Sequence, residues 1–296
     1  MTAGETSAAR FPQAPVLKVK GKVLQTSKTL VMGVVNLTPD SFFPQSRFDG
    51  NIEETVSRIG RMFDEGADIV DIGAESTRPG SLPVSEEEET ARLMPIVEMC
   101  AKKFPDGILS VDTTKAAVAR RALEGGARMI NDISGLAFEP EIAGIVAEAG
   151  GAIVLSHTSG RPDVMQSRTE YGCVVRDVAD CLKLSAQKAI EAGVGEESIV
   201  IDPGIGFGKT FRQNLEILNR LDEFAALPHP VLVGTSRKSF IGEALGGLPS
   251  EERLEGTAAT VAVAVMKGAS VVRVHDVREM ARVARVADAI KNRMAA

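Results

Sequence analysis

The chain has 296 residues, 44% of them hydrophobic and 25% charged, the size and balance of one (β/α)₈-sized domain with a large core. Its 34 basic and 40 acidic residues leave a formal net charge of −6. That excludes the basic footprint of a nucleic-acid or anionic-membrane binder, so any anionic ligand must find its cations locally.

In chain order, residues 1 to about 15 are expected to be disordered. They lack the charged-then-apolar pattern of a secretory signal. No apolar stretch is long enough to span a bilayer, and Cys100, Cys173 and Cys181 have no CxxC spacing. These features predict a soluble cytoplasmic protein with reduced, structural thiols. Val16–Leu24 alternates apolar and polar residues around Gly21, which predicts a hairpin plugging a barrel floor. Residues 1–27 are therefore read as an N-terminal extension and 28–296 as one barrel domain.

Eight short apolar runs follow: Val31–Val35, Ile69–Ile72, Ile108–Val111, Met129–Ile130, Ile153–Leu155, Ile199–Ile201, Val231–Val233 and Val271–Val272. Such runs are how strands buried on both faces read. Amphipathic segments lie between them. Ile52–Glu65 carries Ile52, Val56, Ile59 and Phe63 at helical spacing. Ser85–Lys103 opens with an N-cap serine and Glu88 three residues on. Asp276–Arg293 places Val277, Met280, Val283, Ala287 and Ile290 on one side. Gly66, Gly125, Gly150 and Gly193 stand where helices end. Eight strand–helix units, each strand ending in polar residues, predict an α/β fold, a (β/α)₈ barrel with its active site on the carboxyl rim. The alternative, a flavodoxin-like doubly wound sheet, has fewer strands and one crevice.

The strand ends carry the chemistry. IDPGIGFGKT (201–210) resembles a phosphate loop but has Pro203 and Lys209 where the P-loop and dinucleotide motifs need glycine. Its glycines suit a backbone turn approaching a flat ligand beside Asp202. GTSRKSFIG (234–242) puts Ser236, Arg237, Lys238 and Ser239 at a strand-to-helix transition, where free amides and cations favour an anion. Arg273 and His275 leave the last strand on one side, a second anion site. Asp112, Asn131 and Asp202 aim at the same rim, where they suit a heterocycle rich in N–H donors or a hard cation. The loops NLTPDSFF (36–43) and ESTRPGS (75–81) read as lids, and His229 as a loop residue.

NLTPDSF, DIGAESTRPGS, SVDTTK, INDISG, DPGIGFGK, GTSRKSFIG and RVHDV, in that order, closely resemble the bacterial dihydropteroate synthase family. The likeness runs from about Val31 to Ile290. It implies a homodimeric (β/α)₈ barrel of folate biosynthesis that joins 6-hydroxymethyl-7,8-dihydropterin diphosphate to p-aminobenzoate, releases pyrophosphate, uses Mg²⁺ and is a target of sulfonamides. It implies that Asp202 binds the pterin N–H and amino group, Asn131 and Asp112 the other ring nitrogens, and Lys238 the carbonyl edge. Arg273 would stack on the pterin and, with His275, hold the diphosphate; Asn36 would be the magnesium ligand. Phe42, Thr77, Pro79, Phe207 and Ser239 would shape the p-aminobenzoate pocket, with Arg78 ordering loops and diphosphate. Asp112, Lys238, Arg273 and His275 form the implied catalytic set. Diphosphate leaves first, and ionised Asp112 stabilises the pterin-methyl cation.

Two departures stand out. The family commonly has methionine before the histidine of its fifth strand, where this chain has Ser156, and its first-loop turn is replaced here by 43–47, FPQSR. The alternatives are a methyltetrahydrofolate methyltransferase-like barrel, which needs no anion cluster, and a catalytically silent pterin-binding paralogue.

Overall fold

A computed structural model describes residues 16–38, 51–76, 81 and 83–294. The expected disorder of residues 1–15 and the first-loop departure at 43–47 lie outside the described residues. The chain opens with an antiparallel hairpin, β1 (Val16–Val19) and β2 (Lys22–Gln25). Its turn is at Lys20 and Gly21, both with positive φ, where glycine lowers the strain.

Eight parallel strands follow: β3 (Leu30–Asn36), β4 (Ile69–Gly73), β5 (Ile108–Asp112), β6 (Met129–Asp132), β7 (Ala152–Ser156), β8 (Ile199–Asp202), β9 (Leu232–Val233) and β10 (Val271–Val274). Each of the eight apolar runs overlaps one of them. Their lateral order is β8-β7-β6-β5-β4-β3-β10-β9. A parallel bridge between Ile201 and Val231 brings the two end strands together, and the Ile201 N–H donates to the Pro230 carbonyl at 2.9 Å. The sheet thereby closes into a barrel.

The helices are α1 (Ile52–Asp64), α2 (Glu86–Lys103), α3 (Ala116–Glu124), α4 (Glu141–Ala149), α5 (Val174–Glu191), α6 (Phe211–Asn219), α7 (Leu221–Ala225), α8 (Ser239–Ala244), α9 (Leu254–Met266) and α10 (Val277–Met294). Local chemistry fixes their starts. The Asn51 side chain accepts from Glu54 N–H at 3.0 Å, and Ser85 from Glu88 N–H at 3.2 Å. The Glu88 carboxylate turns to Arg92 instead of closing a capping box. Thr210 and Gln213 do form one.

Helices end at all four glycines of the sequence reading, with two conformations. Gly66, Gly150 and Gly193 have positive φ, but Gly125 is right-handed and Gly126 takes the left-handed turn. A β-carbon on Gly125 would meet Met94 Cε at 2.3 Å, so close packing is what requires that glycine. On α10, Val277, Met280, Ala284 and Ala287 are buried, but Ile290 is exposed because the apolar stripe drifts off the barrel over five turns.

Strand parity divides the core in two. Val31, Val70, Leu109, Ile130, Ile153, Ile201 and Val272 face the helices. Leu30, Met32, Ile69, Ile108, Met129, Val154, Val200, Leu232 and Val271 fill the barrel interior together with Leu17 and Val19 of the hairpin. The hairpin is thus the barrel's floor, and truncating Leu17, which is fully buried, to alanine would cost about 2–5 kcal/mol.

Candidate active site

The interior parity continues upward from the apolar layers. On six strands, two residues beyond an inward Ile, Met or Val, the same face is occupied toward the carboxyl ends by Asp71, Ser110, Asn131, Ser156, Asp202 and Arg273. A further step gives Asn36, Asp112 and His275. The barrel is apolar below and polar at its mouth because the strands change chemistry within one alternating row. Glycine at inward positions leaves room: a β-carbon on Gly73 would lie 3.3 Å from Asp112 Cβ, and one on Gly234 would lie 3.8 Å from Arg273 Cβ and 3.9 Å from Lys238 Nζ.

Arg273 organises one side of the mouth. From β10 it reaches past β3, donating from Nε to Asp71 Oδ2 at 2.7 Å and from Nη2 to Asp112 Oδ2 at 2.8 Å. Asn131 donates to the same Asp71 oxygen at 2.9 Å. Asp71 is fully buried and is not among the residues the sequence reading brings to the site; its one signal is an acid in the middle of the apolar run IVDIG. Burial depresses the Arg273 pKa, but Asp71 and Asp112 outweigh it and raise the value. Burial pushes Asp112 up to about 7, against the pull of Arg273 and with the help of Asp71. The second oxygen of Asp71 and the amide oxygen of Asn131 are buried without a hydrogen-bond partner among the described residues, and are open acceptors. Asp132, the other polar residue at this strand end, is structural: it accepts from Ser134 N–H at 2.8 Å, Ser134 Oγ at 2.7 Å and Leu136 N–H at 2.6 Å.

Asp202 organises the facing side. Its Oδ1 accepts from Gly204 N–H at 2.8 Å and its Oδ2 from Ser156 Oγ at 3.0 Å. Where the resemblance places a methionine, this chain therefore has a hydrogen bond to the acid that ends β8. The glycine loop is held by Lys209, whose ammonium meets His157 Nδ1 at 3.0 Å and the carbonyls of Gly204 and Phe207 at 2.9 Å each. Burial lowers Lys209 to about 7 and His157 to about 3. Gly204 and Gly208 pack on protein, and Gly206 (φ 86°) faces the mouth, where a β-carbon would lie 3.0 Å from Lys238 Cδ. A β-carbon on Gly204 (φ 65°) would lie 1.9 Å from the His157 carbonyl oxygen, and one on Gly208 (φ 60°) 1.8 Å from Ser159 Oγ. Left-handed φ requires glycine at all three positions, and packing on the rim after β7 adds to that at Gly204 and Gly208.

Lys238 lies between the two sides. Its ammonium sits 4.4 Å from the Phe207 ring centroid and donates to the Ile205 carbonyl. Burial lowers its pKa to about 8; Asp202 opposes that and Arg273 adds to it. Arg237 does not join the anion site expected of it. It points away, gripping Asp276 through two 2.8 Å bonds and the Ser250 carbonyl at 2.7 Å. A positive φ of 57° turns the chain there, so consecutive cations face opposite directions. Ser239 is the exposed first residue of α8. His275 Nδ1 lies 3.0 Å from Ser236 Oγ, and burial, aided by Arg273, lowers its pKa to about 3. It is a neutral hydrogen-bonding group, and the positive charge beside it belongs to Arg273.

A cleft of about 330 Å³ opens beside Asp112, lined by Glu75, Thr113, Ile133, Phe138 and Arg161 among others. At its edge Lys115 bridges Glu75 and the fully buried Glu89, both at 2.5 Å, and anchors the base of the second loop. Phe42, Thr77, Arg78 and Pro79 lie outside the described residues. Asn36 ends β3 half-buried in the inward row. Among the described residues no three His, Cys, Asp or Glu side chains form a metal cluster. A cation here would draw on one neutral amide oxygen of the protein and on its ligand's oxygens, which is how Mg²⁺ commonly sits beside phosphates.

The family model described as pterin binding enzyme matches residues 32–275. Dihydropteroate synthase of Bacillus subtilis is 45% identical over 283 residues, covering 95% of each chain. The Yersinia pestis dihydropteroate synthase solved as a sulfonamide drug complex superposes with a TM-score of 0.89 at 38% identity, covering 94% of this chain and 99% of that one. The Burkholderia cenocepacia enzyme complexed with 7,8-dihydropteroate gives a TM-score of 0.84 at 39% identity, covering 95% and 98%. The chain belongs to the dihydropteroate synthase family of pterin-binding enzymes.

Proposed function

We propose that this chain joins 6-hydroxymethyl-7,8-dihydropterin diphosphate to p-aminobenzoate, giving 7,8-dihydropteroate and pyrophosphate, as a transferase of folate synthesis. The observation that carries the reading is the two-sided mouth. Asp202 offers paired acceptors beside Lys238, and Arg273, held by Asp71 and Asp112, faces them across Gly234.

The pterin's amino and ring N–H groups pair with Asp202, and its remaining ring nitrogens meet Asn131 and Asp112. Lys238 meets the carbonyl edge. Arg273 uses two nitrogens on carboxylates and keeps Nη1 for the diphosphate. His275, neutral, adds a hydrogen bond there. As the C–O bond to diphosphate breaks, positive charge grows on the pterin-methyl carbon; a dihydropterin cation beside Asp112 favours the carboxylate form. The arylamine then attacks from the Phe207 and Ser239 side, which Phe42, Thr77 and Pro79 complete in this reading, with Arg78 ordering the loops and diphosphate. Bound to Asn36 and the diphosphate, Mg²⁺ would offset charge on the leaving oxygens.

A methyltransferase-like barrel fits less well, since it does not need the diphosphate that Arg273 and His275 hold in this reading. A homodimer is part of the proposal: Val263 and Met266 on α9 and Val286 and Ile290 on the adjoining α10 expose an apolar face. Cytoplasmic localisation is also part of it; none of the helices among the described residues is long and apolar enough to cross a membrane. Supplying the purified chain with both substrates tests the reading. Equal release of pyrophosphate and 7,8-dihydropteroate supports it; methyl transfer from methyltetrahydrofolate without either product favours the alternative, and pterin binding without turnover favours the silent paralogue.

A further inference from the structure

We infer that Ser156 is a positioning residue that sets the carboxylate plane of Asp202 for two-point recognition of a ligand's paired N–H groups. The inference rests on the proposed role of Asp202 in holding the pterin.

Ser156 and Asp202 are register partners on the parallel strands β7 and β8, so their side chains stand beside one another in the inward row. Ser156 is 2% exposed, and its hydroxyl donates to Asp202 Oδ2 at 3.0 Å. The other oxygen accepts from Gly204 N–H at 2.8 Å. A carboxylate only accepts, so the serine proton must lie on the aspartate side of this bond. Each oxygen thus carries one protein donor and keeps lone-pair capacity for one ligand donor. Rotation about the Cβ–Cγ bond would break both contacts together. Two donors therefore hold the plane, where one would leave a swivel toward the Lys238 ammonium. Backbone geometry fixes the first donor whatever the side chains are. The second exists only because this position is a serine.

The expected signature is a loss of pterin affinity with little change in the rate of the bound complex. Removing a hydrogen bond to a charged acceptor weakens binding by about tenfold. Ser156→Ala should raise the Kd for unreactive 6-hydroxymethylpterin, measured by calorimetry, about tenfold. KM for the dihydropterin diphosphate should rise in parallel, with kcat within about twofold. Ser156→Thr keeps the hydroxyl and should restore affinity. In an Asp202→Asn background, where no carboxylate is left to orient, Ser156→Ala should add little, a coupling that a double-mutant cycle reads directly. Unchanged affinity in Ser156→Ala, or the same tenfold loss in both backgrounds, overturns the inference. If Asp202→Asn alone leaves affinity intact, the proposed role of Asp202 falls and this inference with it. If Asp202→Asn loses affinity and Ser156→Ala does not, only the role of Ser156 falls.

Discussion

Arg273 and Asp71 sit on strands that are not neighbours, yet Arg273 Nε donates to Asp71 Oδ2 at 2.7 Å across the intervening β3. A buried acid in the barrel interior is costly without a partner, and the long arginine arm supplies one. The same guanidinium reaches Asp112 at 2.8 Å, so one cation fixes two carboxylates at the mouth.

Replacing Arg273 with alanine should therefore have two separable effects. Binding of the diphosphate ester should fall more than binding of unphosphorylated hydroxymethyl pterin, as calorimetry on both ligands would read. Urea unfolding should show a stability loss of about 3–5 kcal/mol, because Asp71 is left buried without a cation, with only the Asn131 amide donating to it. Equal affinity losses for both ligands would mean that Arg273 serves only the ring.

Asp112→Asn should keep the fold and part of the pterin affinity, yet lower turnover by about 10²-fold or more, since a preorganised negative charge beside a developing cation is lost. Steady-state kinetics on the purified variant checks this, and near-normal turnover would reject Asp112 as the cation's stabiliser.

The pH profile follows from two opposed shifts. Asp112 is pushed up to about 7 and must be ionised to act, so kcat/KM should rise with pH through about 7. Lys238 is lowered to about 8 and must be protonated, so kcat/KM should fall above about 8. The result is a narrow bell, and Asp112→Asn should remove its acid limb. A flat profile from pH 6 to 9 would contradict both assignments.

Gly204→Ala should destabilise the protein by about 2 kcal/mol or more, since a left-handed φ of 65° and a carbonyl 1.9 Å from the new β-carbon both oppose it. Because the same residue's N–H holds Asp202, pterin affinity should fall with it. Thermal melts with and without pterin measure the two effects; an unchanged melting temperature would show that the loop relaxes freely.

Much of this was legible in the sequence. Val- and Ile-rich runs ending in Asn36, Asp112, Asn131, Asp202 and Arg273 give strand, parity and rim together, because a two-residue period carries the inward face from core to mouth. The alternation around Gly21 marked the floor hairpin in the same way. What local pattern could not carry was orientation after a turn. Arg237 and Lys238 are adjacent in sequence, but a positive φ at Arg237 sends one to Asp276 and the other to the mouth. Asp71 was hidden because its partners come from 60 and 202 residues away. The glycines of 204–208 are legible as a turn but not by what they touch, since Gly204 and Gly208 meet the rim after β7 and Gly206 meets Lys238.

In the proposed reaction the bond to diphosphate breaks inside this cluster before the amine attacks. Positional isotope exchange tests it most directly. Dihydropterin diphosphate carrying ¹⁸O in the C–O–P bridge is incubated with the enzyme and Mg²⁺ in the absence of p-aminobenzoate, and the recovered ester is analysed for label position. Reversible cleavage makes the oxygens at that end of pyrophosphate equivalent, so the account predicts label moving from the bridge to non-bridging positions, and much slower movement in Asp112→Asn. Label that stays in the bridge, in a preparation that turns over normally once p-aminobenzoate is added, would contradict it.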